Sequence, residues 1–517
     1  MITFCTLQVQ MLALVTLTTA LDLPSLNFDW QQPLSYLGLA PNNLTATGCE
    51  AACTYLTHHL PIPDIQPDNP REYWKEKSFF WSQQQSTISP SCFVQPLTAE
   101  HVSTIVKLAR EHQCKFAVKS GGHAAFAGAS NVQDGMTIDL QFLDMIEVSE
   151  DKQTTRVGPG NRWVDVYKHV VPMGLSVVGG RNSEIGVGGL TLGGGISWYS
   201  SRYGWALDGV RNYQVVVADG RVLEVDRESY PDLYWALRGG GNNFGVVTRF
   251  DFETFPQGDM WGGSVMTGPD SLDRVLDAFH DFAYTGGDDM DAYSFSAFCW
   301  YQEHKMFIAS TALVYAQPVE NPAIFENYTK LESMHSTLKI RDMVSMSDEI
   351  GAQAPNGLRN SYWTATFRIT REMLQVILDI FMEELEPVKE VEGMIPALIY
   401  QPMSNEVLTR FSRNGGNCLG LEGEEGPLLN INYAVMWKNE ADDEAVLTAA
   451  RNTIRRSKEK AKELGLDHRY LYQNYASHEQ DVMASYGEEN LERLRSISRE
   501  FDPEQVFQKL QPGYFKL

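Results

Sequence analysis

The run Lys119-Ser120-Gly121-Gly122-His123-Ala124 is answered further along the chain by Gly186-Val187-Gly188-Gly189-Leu190-Thr191-Leu192-Gly193-Gly194-Gly195. The first run follows an apolar stretch, Phe116 to Val118, that reads as a short strand. Its two glycines leave no side chains on the turn, so a flat ligand and its phosphates can approach the backbone closely. Six glycines in the ten residues of the second run carry a large entropic cost unless something must come close. Two such loops predict one large nucleotide-like cofactor, with the His123 imidazole held against it as a nucleophile. A nicotinamide-binding fold would require a strand, GxGxxG and a helix, and the chain contains no GxGxxG.

Around these loops the pattern alternates between helix and strand. Val102, Ile105, Val106 and Ala109 recur at helical spacing, and Trp163 to Val170 reads as a second helix. A strand is predicted over Met136 to Leu143. Tyr213 to Val217 and Arg221 to Val225 flank Asp219-Gly220, a hairpin signal. Pro231 opens a helix to Leu237, and Phe250 to Phe255 reads as a strand. A domain boundary falls around Pro256 to Met260. The central part has aromatic strands, among them Leu428 to Trp437, and ends in a helix from about Ala441 to Leu464, stopped by Gly465. Residues 21–87, rich in Pro, Asn and Gln, read as an irregular N-terminal wrap.

Length and composition bound the rest. At 517 residues and 43% hydrophobic content, the chain has material for two or three domains with buried cores. A formal charge of -24 disfavours a nucleic-acid surface, and it implies that bound phosphates are held by backbone N–H groups. No membrane span is predicted. Met11 to Leu17, followed by Thr18, Thr19 and Ala20, resembles a secretory signal cleaved near Ala20 (residues 1–20). Six cysteines then remain after Cys5 is removed, and six allow 15 pairings. Cys92 is expected to pair with Cys49 or Cys53. Asn43-Leu44-Thr45 and Asn327-Tyr328-Thr329 are glycan sequons. Neither His58-His59 nor the group Asp288, Asp289 and Asp291 has metal-site spacing, so no metal is expected.

Four runs carry a family resemblance: KSGGHAAFAGAS; IGVGGLTLGGGISWYSSRYGWALDGV; DLYWALRGGGNNFGVVTRF; and the tail YQNY, YGEENLERL and FDPEQVF. In order and at matching spacing, they resemble the FAD-linked oxidases of the berberine-bridge-enzyme type, within the vanillyl-alcohol-oxidase-like flavoproteins. The similarity covers about residues 88–258 and again 468–510, and the second run is most similar to ascomycete members of the secretory pathway. The resemblance implies an α+β fold of two domains. Segments 88–260 and 464–517 would form a split FAD-binding domain, and 261–463 a substrate domain on an antiparallel sheet with helices.

The same match assigns roles. His123 falls where relatives join a histidine covalently to the flavin. Many relatives add a second bond from a cysteine, but Asn182 stands at that position, which predicts a single link. Ser120, Gly121, Gly122 and Ser130 would line the pyrophosphate. Gly188, Gly189, Gly193 and Gly194 would pass close to the cofactor, Val247 would touch the adenine side, and Asn474 would support the cofactor. Ile185 matches a gatekeeper beside the flavin that controls access of dioxygen. Tyr472 is expected to be the base that takes a substrate proton while hydride leaves for FAD, and Asn432 a polar residue facing the substrate. The implied reaction is oxidation of a small organic molecule, a secondary-metabolite alcohol or polyketide intermediate, with dioxygen as acceptor. A carbohydrate oxidase on the same scaffold, or a flavin-carrying binding protein without catalysis, are the competing readings.

Overall fold

In the computed structural model, which describes residues 48–517, the His123 loop springs from the end of a parallel sheet. Cys92–Val94, Met136–Asp139 and Phe116–Lys119 pair in parallel with Met136–Asp139 in the middle, and Asp64–Ile65 adds an antiparallel edge. The crossover between Cys92–Val94 and Phe116–Lys119 is the helix Ala99–Glu111. The Thr98 hydroxyl caps it by accepting from the His101 N–H, and Val102, Ile105, Val106 and Ala109 bury the apolar stripe. Lys119 and Asp139, both buried, pair at 2.7 Å across the two strand ends. The strand predicted to run on to Leu143 stops at Asp139. There the carboxylate accepts from the Gln141 N–H at 3.2 Å, and this local side-chain turn displaces the ladder.

The signal segment, Cys5, the Asn43 sequon and the first part of the wrap lie outside the described residues. The remainder of the wrap is not irregular: it holds helices Cys49–His59, Pro70–Ser78 and Gln83–Ser86. Cys49 and Cys53 stand four residues apart on one helical face, so both reach the unit made by the parallel sheet and its crossover helix. Cys53 pairs with Cys92 on the parallel sheet, and Cys49 with Cys114 just past the crossover helix. These crosslinks and Pro70 at a helix start outweigh the helix-poor composition.

Two antiparallel sheets follow. The first has the order Ile146–Val148, Thr154–Val157, Val246–Pro256, Val210–Val216, Val222–Asp226, with Leu175–Val177 also on Val246–Pro256. Its hairpin turns at Asp219-Gly220, where Gly220 has φ 84. The second is nine-stranded and begins at Met260–Thr267, directly after Pro256. Helices Leu272–Thr285, Arg371–Leu385 and Asp443–Leu464 cover one face of it, and Gly465 ends the last of them with φ 71. Period-two alternation assigns the faces. In Ile395–Met403, Leu398 and Tyr400 enter the helix-side core, whereas Ile395, Ala397, Ile399 and Gln401 face a cavity. In Leu428–Trp437, Ile431, Tyr433 and Val435 enter the core, and Asn432, Ala434 and Met436 the cavity.

Candidate active site

A cavity of about 570 Å³ lies between this inner sheet face and the two glycine runs. The glycine runs form one wall because they touch. A Cβ on Gly121 would lie 2.5 Å from the Gly186 backbone nitrogen, and one on Gly186 would lie 2.2 Å from the Gly121 nitrogen. Only two facing glycines allow that approach. The second run is not the open loop expected from its composition. Val187–Gly193 is a short helix, and its glycines let it pack at close range. Gly188 donates its N–H to Ser120 Oγ at 3.2 Å, which joins the runs.

His123 lines the cavity, and the Trp81 indole stacks on its ring at 4.1 Å, with planes 11° apart. Trp81 also donates its backbone N–H to the Gly122 carbonyl at 3.1 Å, so the wrap and the histidine turn hold each other. Burial pushes the imidazole down to about 4, which keeps it neutral near pH 7, and its Nε2 is buried without a partner.

Of the residues expected at the cofactor, Ser120, Gly121, Gly122, Ser130, Ile185, Gly188, Gly189, Val247 and Asn474 all line the cavity. Gly193 and Gly194 do not. Their missing side chains make room instead for the tail: a Cβ on Gly193 would meet Asn474 at 2.1 Å, and one on Gly194 would meet Tyr472 at 2.7 Å. Asn474 donates to the Leu190 carbonyl at 3.0 Å, while its Oδ1 is buried without a partner. Among the described residues, Arg181 is the one Lys or Arg side chain on the cavity wall.

The two tyrosines of the tail differ sharply. Tyr472 is 1% exposed, and its oxygen accepts from the N–H groups of Gly195 at 2.9 Å and Ile196 at 3.1 Å and from Asn474 Nδ2 at 3.0 Å. Burial, with Tyr475 beside it, pushes its phenol well above the ordinary value. Three donors from within the fold already converge on that oxygen, so a substrate hydroxyl would have to displace one of them to reach it. Tyr475, one turn on, is only half-buried, and its oxygen accepts from Arg181 Nη2 at 2.7 Å. Arg181 also donates to Gln401 Oε1 at 2.6 Å and packs its guanidinium 4.8 Å from the Phe295 ring. Sequence reading missed Trp81, Arg181, Gln401 and Tyr475. Only Tyr475 sat in a quoted motif; the others are single residues outside any repeat.

The chain's residues 90–226 match the family model described as an FAD binding domain. It is 37% identical over 491 residues to the FAD-dependent monooxygenase tpcD of Cochliobolus heterostrophus, across 91% of this chain and 94% of that one. Among solved structures, 6-hydroxy-D-nicotine oxidase from Arthrobacter nicotinovorans is similar with a TM-score of 0.72 at 21% identity, over 86% of this chain and 96% of that chain. Glucooligosaccharide oxidase from Acremonium strictum, a protein with 6-S-cysteinyl, 8α-N1-histidyl FAD, gives 0.71 at 18%, over 89% of this chain and 98% of that one.

Fold, cavity and relatives define the class as an FAD-dependent oxidoreductase with a mixed helix and sheet, FAD-linked oxidase fold. The chain belongs to the family of fungal FAD-dependent monooxygenases that includes tpcD, and it shares its fold with solved BBE-like proteins. The cavity wall fits the cofactor: a glycine-built cradle without side chains, a neutral histidine with an unpartnered nitrogen, and an unpartnered amide oxygen on Asn474. Among the described residues, no cluster of His, Cys, Asp or Glu could hold a metal, and no helix is long and apolar enough to cross a membrane.

Proposed function

We propose that the enzyme oxidises a small, largely apolar alcohol or polyketide intermediate of secondary metabolism, with dioxygen as the final acceptor. Residues 88–260 and 464–517 serve the cofactor, and 261–463 the substrate. The observation that carries this reading is the inner sheet face. Met266, Phe295, Ala297, Ile308, Ile399 and Met436 line it, and among the described residues no carboxylate or lysine does. A sugar, with hydroxyls on every side, would leave most of them unpaired against such a wall. That favours the apolar substrate over the carbohydrate alternative.

FAD, when bound, supplies the two-electron acceptor and returns the electrons to dioxygen as hydrogen peroxide. His123 is the attachment point, since a neutral, buried imidazole keeps a nucleophilic lone pair. The link is single. Asn182 has no sulfur, and Cys299, the only cysteine lining the cavity among the described residues, has its thiol pushed up to about 12 by burial. The base moves from Tyr472 to Tyr475. Tyr475 lines the cavity, and its oxygen, held by Arg181 Nη2, keeps a lone pair to take the proton of a substrate hydroxyl. Asn432, with an unpartnered Oδ1, orients the substrate from the sheet. Ile185 sets the approach of dioxygen. Two disulfides and the apolar N-terminal segment support maturation in the secretory pathway.

Anaerobic addition of apolar allylic and benzylic alcohols is expected to bleach the flavin, and air to restore it with one peroxide per alcohol consumed. Bleaching by oligosaccharides alone would support the carbohydrate reading. Turnover that consumes a reduced nicotinamide and inserts oxygen would make the enzyme a monooxygenase.

A further inference from the structure

Arg181 is the only Lys, Arg, Asp or Glu side chain on the cavity wall among the described residues. Among the described residues it makes no salt bridge: its polar partners are Gln401 Oε1 and Tyr475 Oη, both reached through Nη2. Nη1 is buried with no partner among the described residues. The guanidinium is held in place by Phe295, Trp198 and Tyr293, whose ring centres lie 4.8, 5.4 and 5.7 Å from its Cζ. Gln401, itself 1% exposed, spends its oxygen on Arg181 and leaves its Nε2 buried and unpartnered.

Two unsatisfied donors therefore sit on residues bonded to each other, and one of them is the buried end of a half-buried cation with no carboxylate beside it among the described residues. Buried charges are ordinarily paired, because taking an ion out of water without a counterion is strongly unfavourable. Tyr475 meets one N–H of the guanidinium and leaves Nη1 free. The polar partners of Arg181 lie on the strand Ile395–Met403 and on Tyr475, so the cation belongs to the substrate side of the cavity rather than to the glycine cradle.

We infer that Arg181 and Gln401 form an oxyanion subsite, and that the natural substrate carries an ionised oxygen, as an acidic enol or a carboxylate, on an apolar body. The inference rests on the reading that the inner sheet face receives the substrate. The anion pairs with Arg181 and accepts from Gln401, the apolar body lies along Ala297, Ile399 and Met436, and the oxidised carbon is thereby placed beside Tyr475. A guanidinium suits this task because its planar fork accepts a carboxylate or a conjugated enolate in a fixed orientation.

The test is equilibrium binding to the flavin-loaded enzyme, by calorimetry and by the shift of the flavin band. The probes are 2-naphthoate against 2-naphthamide, and 4-hydroxycoumarin, ionised at neutral pH, against 4-methylcoumarin. At least one anion is expected to bind ~10-fold or more tightly than its neutral partner, the scale of a hydrogen bond to a charged group. Preference confined to naphthoate assigns a carboxylate, and preference confined to the coumarin enolate assigns an enol. Arg181→Gln should erase the preference, Arg181→Lys keep part of it, and Gln401→Leu weaken it, with the neutral probes unchanged. The wild-type comparison decides even where a variant fails to fold. Neutral probes binding as tightly as both anions, or a preference that survives Arg181→Gln, would overturn the subsite. Binding needs no turnover: anion preference without oxidation of any alcohol would keep the subsite and sink the oxidase reading, and oxidation without preference the reverse.

Discussion

At the scale of single residues, two tyrosines three positions apart have different work because of what their oxygens already touch. Both line the cavity, but Tyr472 takes donors from Gly195, Ile196 and Asn474, whereas Tyr475 takes a single cationic donor, Arg181. Tyr475→Phe is therefore expected to lower the rate of flavin reduction by ~10²–10⁴-fold with little loss of binding. Tyr472→Phe should instead lower the melting temperature and leave the reduction rate within about tenfold, since its bonds are internal. Rapid mixing under anaerobic conditions measures both, and the opposite ranking would return the base to Tyr472. His123 gives a pH prediction. Its imidazole is lowered to about 4, against an ordinary value of about 6.5, so roughly nine-tenths of it stays neutral at pH 5. Attachment of FAD to the apoprotein should hold nearly constant from pH 8 down to 5, where an unperturbed histidine would be almost wholly protonated. A rate that falls through pH 6.5 would show an imidazole that is not buried. The motif marked His123 because glycines flank it; it was silent on Arg181 and Gln401, which meet only when the sheet folds over the glycine wall.

At the scale of elements, the glycine runs were legible as a close approach but not in their detail. Composition alone cannot distinguish glycines that admit a ligand from glycines that admit another part of the chain. Gly121 and Gly186 admit each other, and Gly193 and Gly194 admit the tail. Long amphipathic elements such as Ala99–Glu111 and Asp443–Leu464 were readable because their apolar stripe meets one partner. The helices of the wrap were not, because disulfides rather than periodicity hold Cys49–His59 in place. Gly186→Ala puts a methyl onto the Gly121 backbone, and such overpacking costs about 1–3 kcal/mol. The variant is expected to lower both melting temperature and FAD content. Gly189→Ala, with nothing within 4 Å of the new methyl, should spare the apoprotein's melting temperature. Equal loss of apoprotein stability in the two variants would argue against the mutual packing.

At the scale of the whole molecule, the oxidase fold brings together segments far apart in sequence: the wrap through Trp81, the glycine wall, the inner sheet face and the tail. The order of the four quoted runs made the family readable, while the apolar character of the substrate side became visible only through alternation across several paired strands. The proposed chemistry depends above all on FAD held through one bond to His123. Holoenzyme produced with ample riboflavin should therefore be denatured, acid-washed, digested and mapped by mass spectrometry. One flavin-bearing peptide is expected, containing His123, and none should come from His123→Ala. A colourless polypeptide that releases all its FAD, or a second attached peptide, would contradict it.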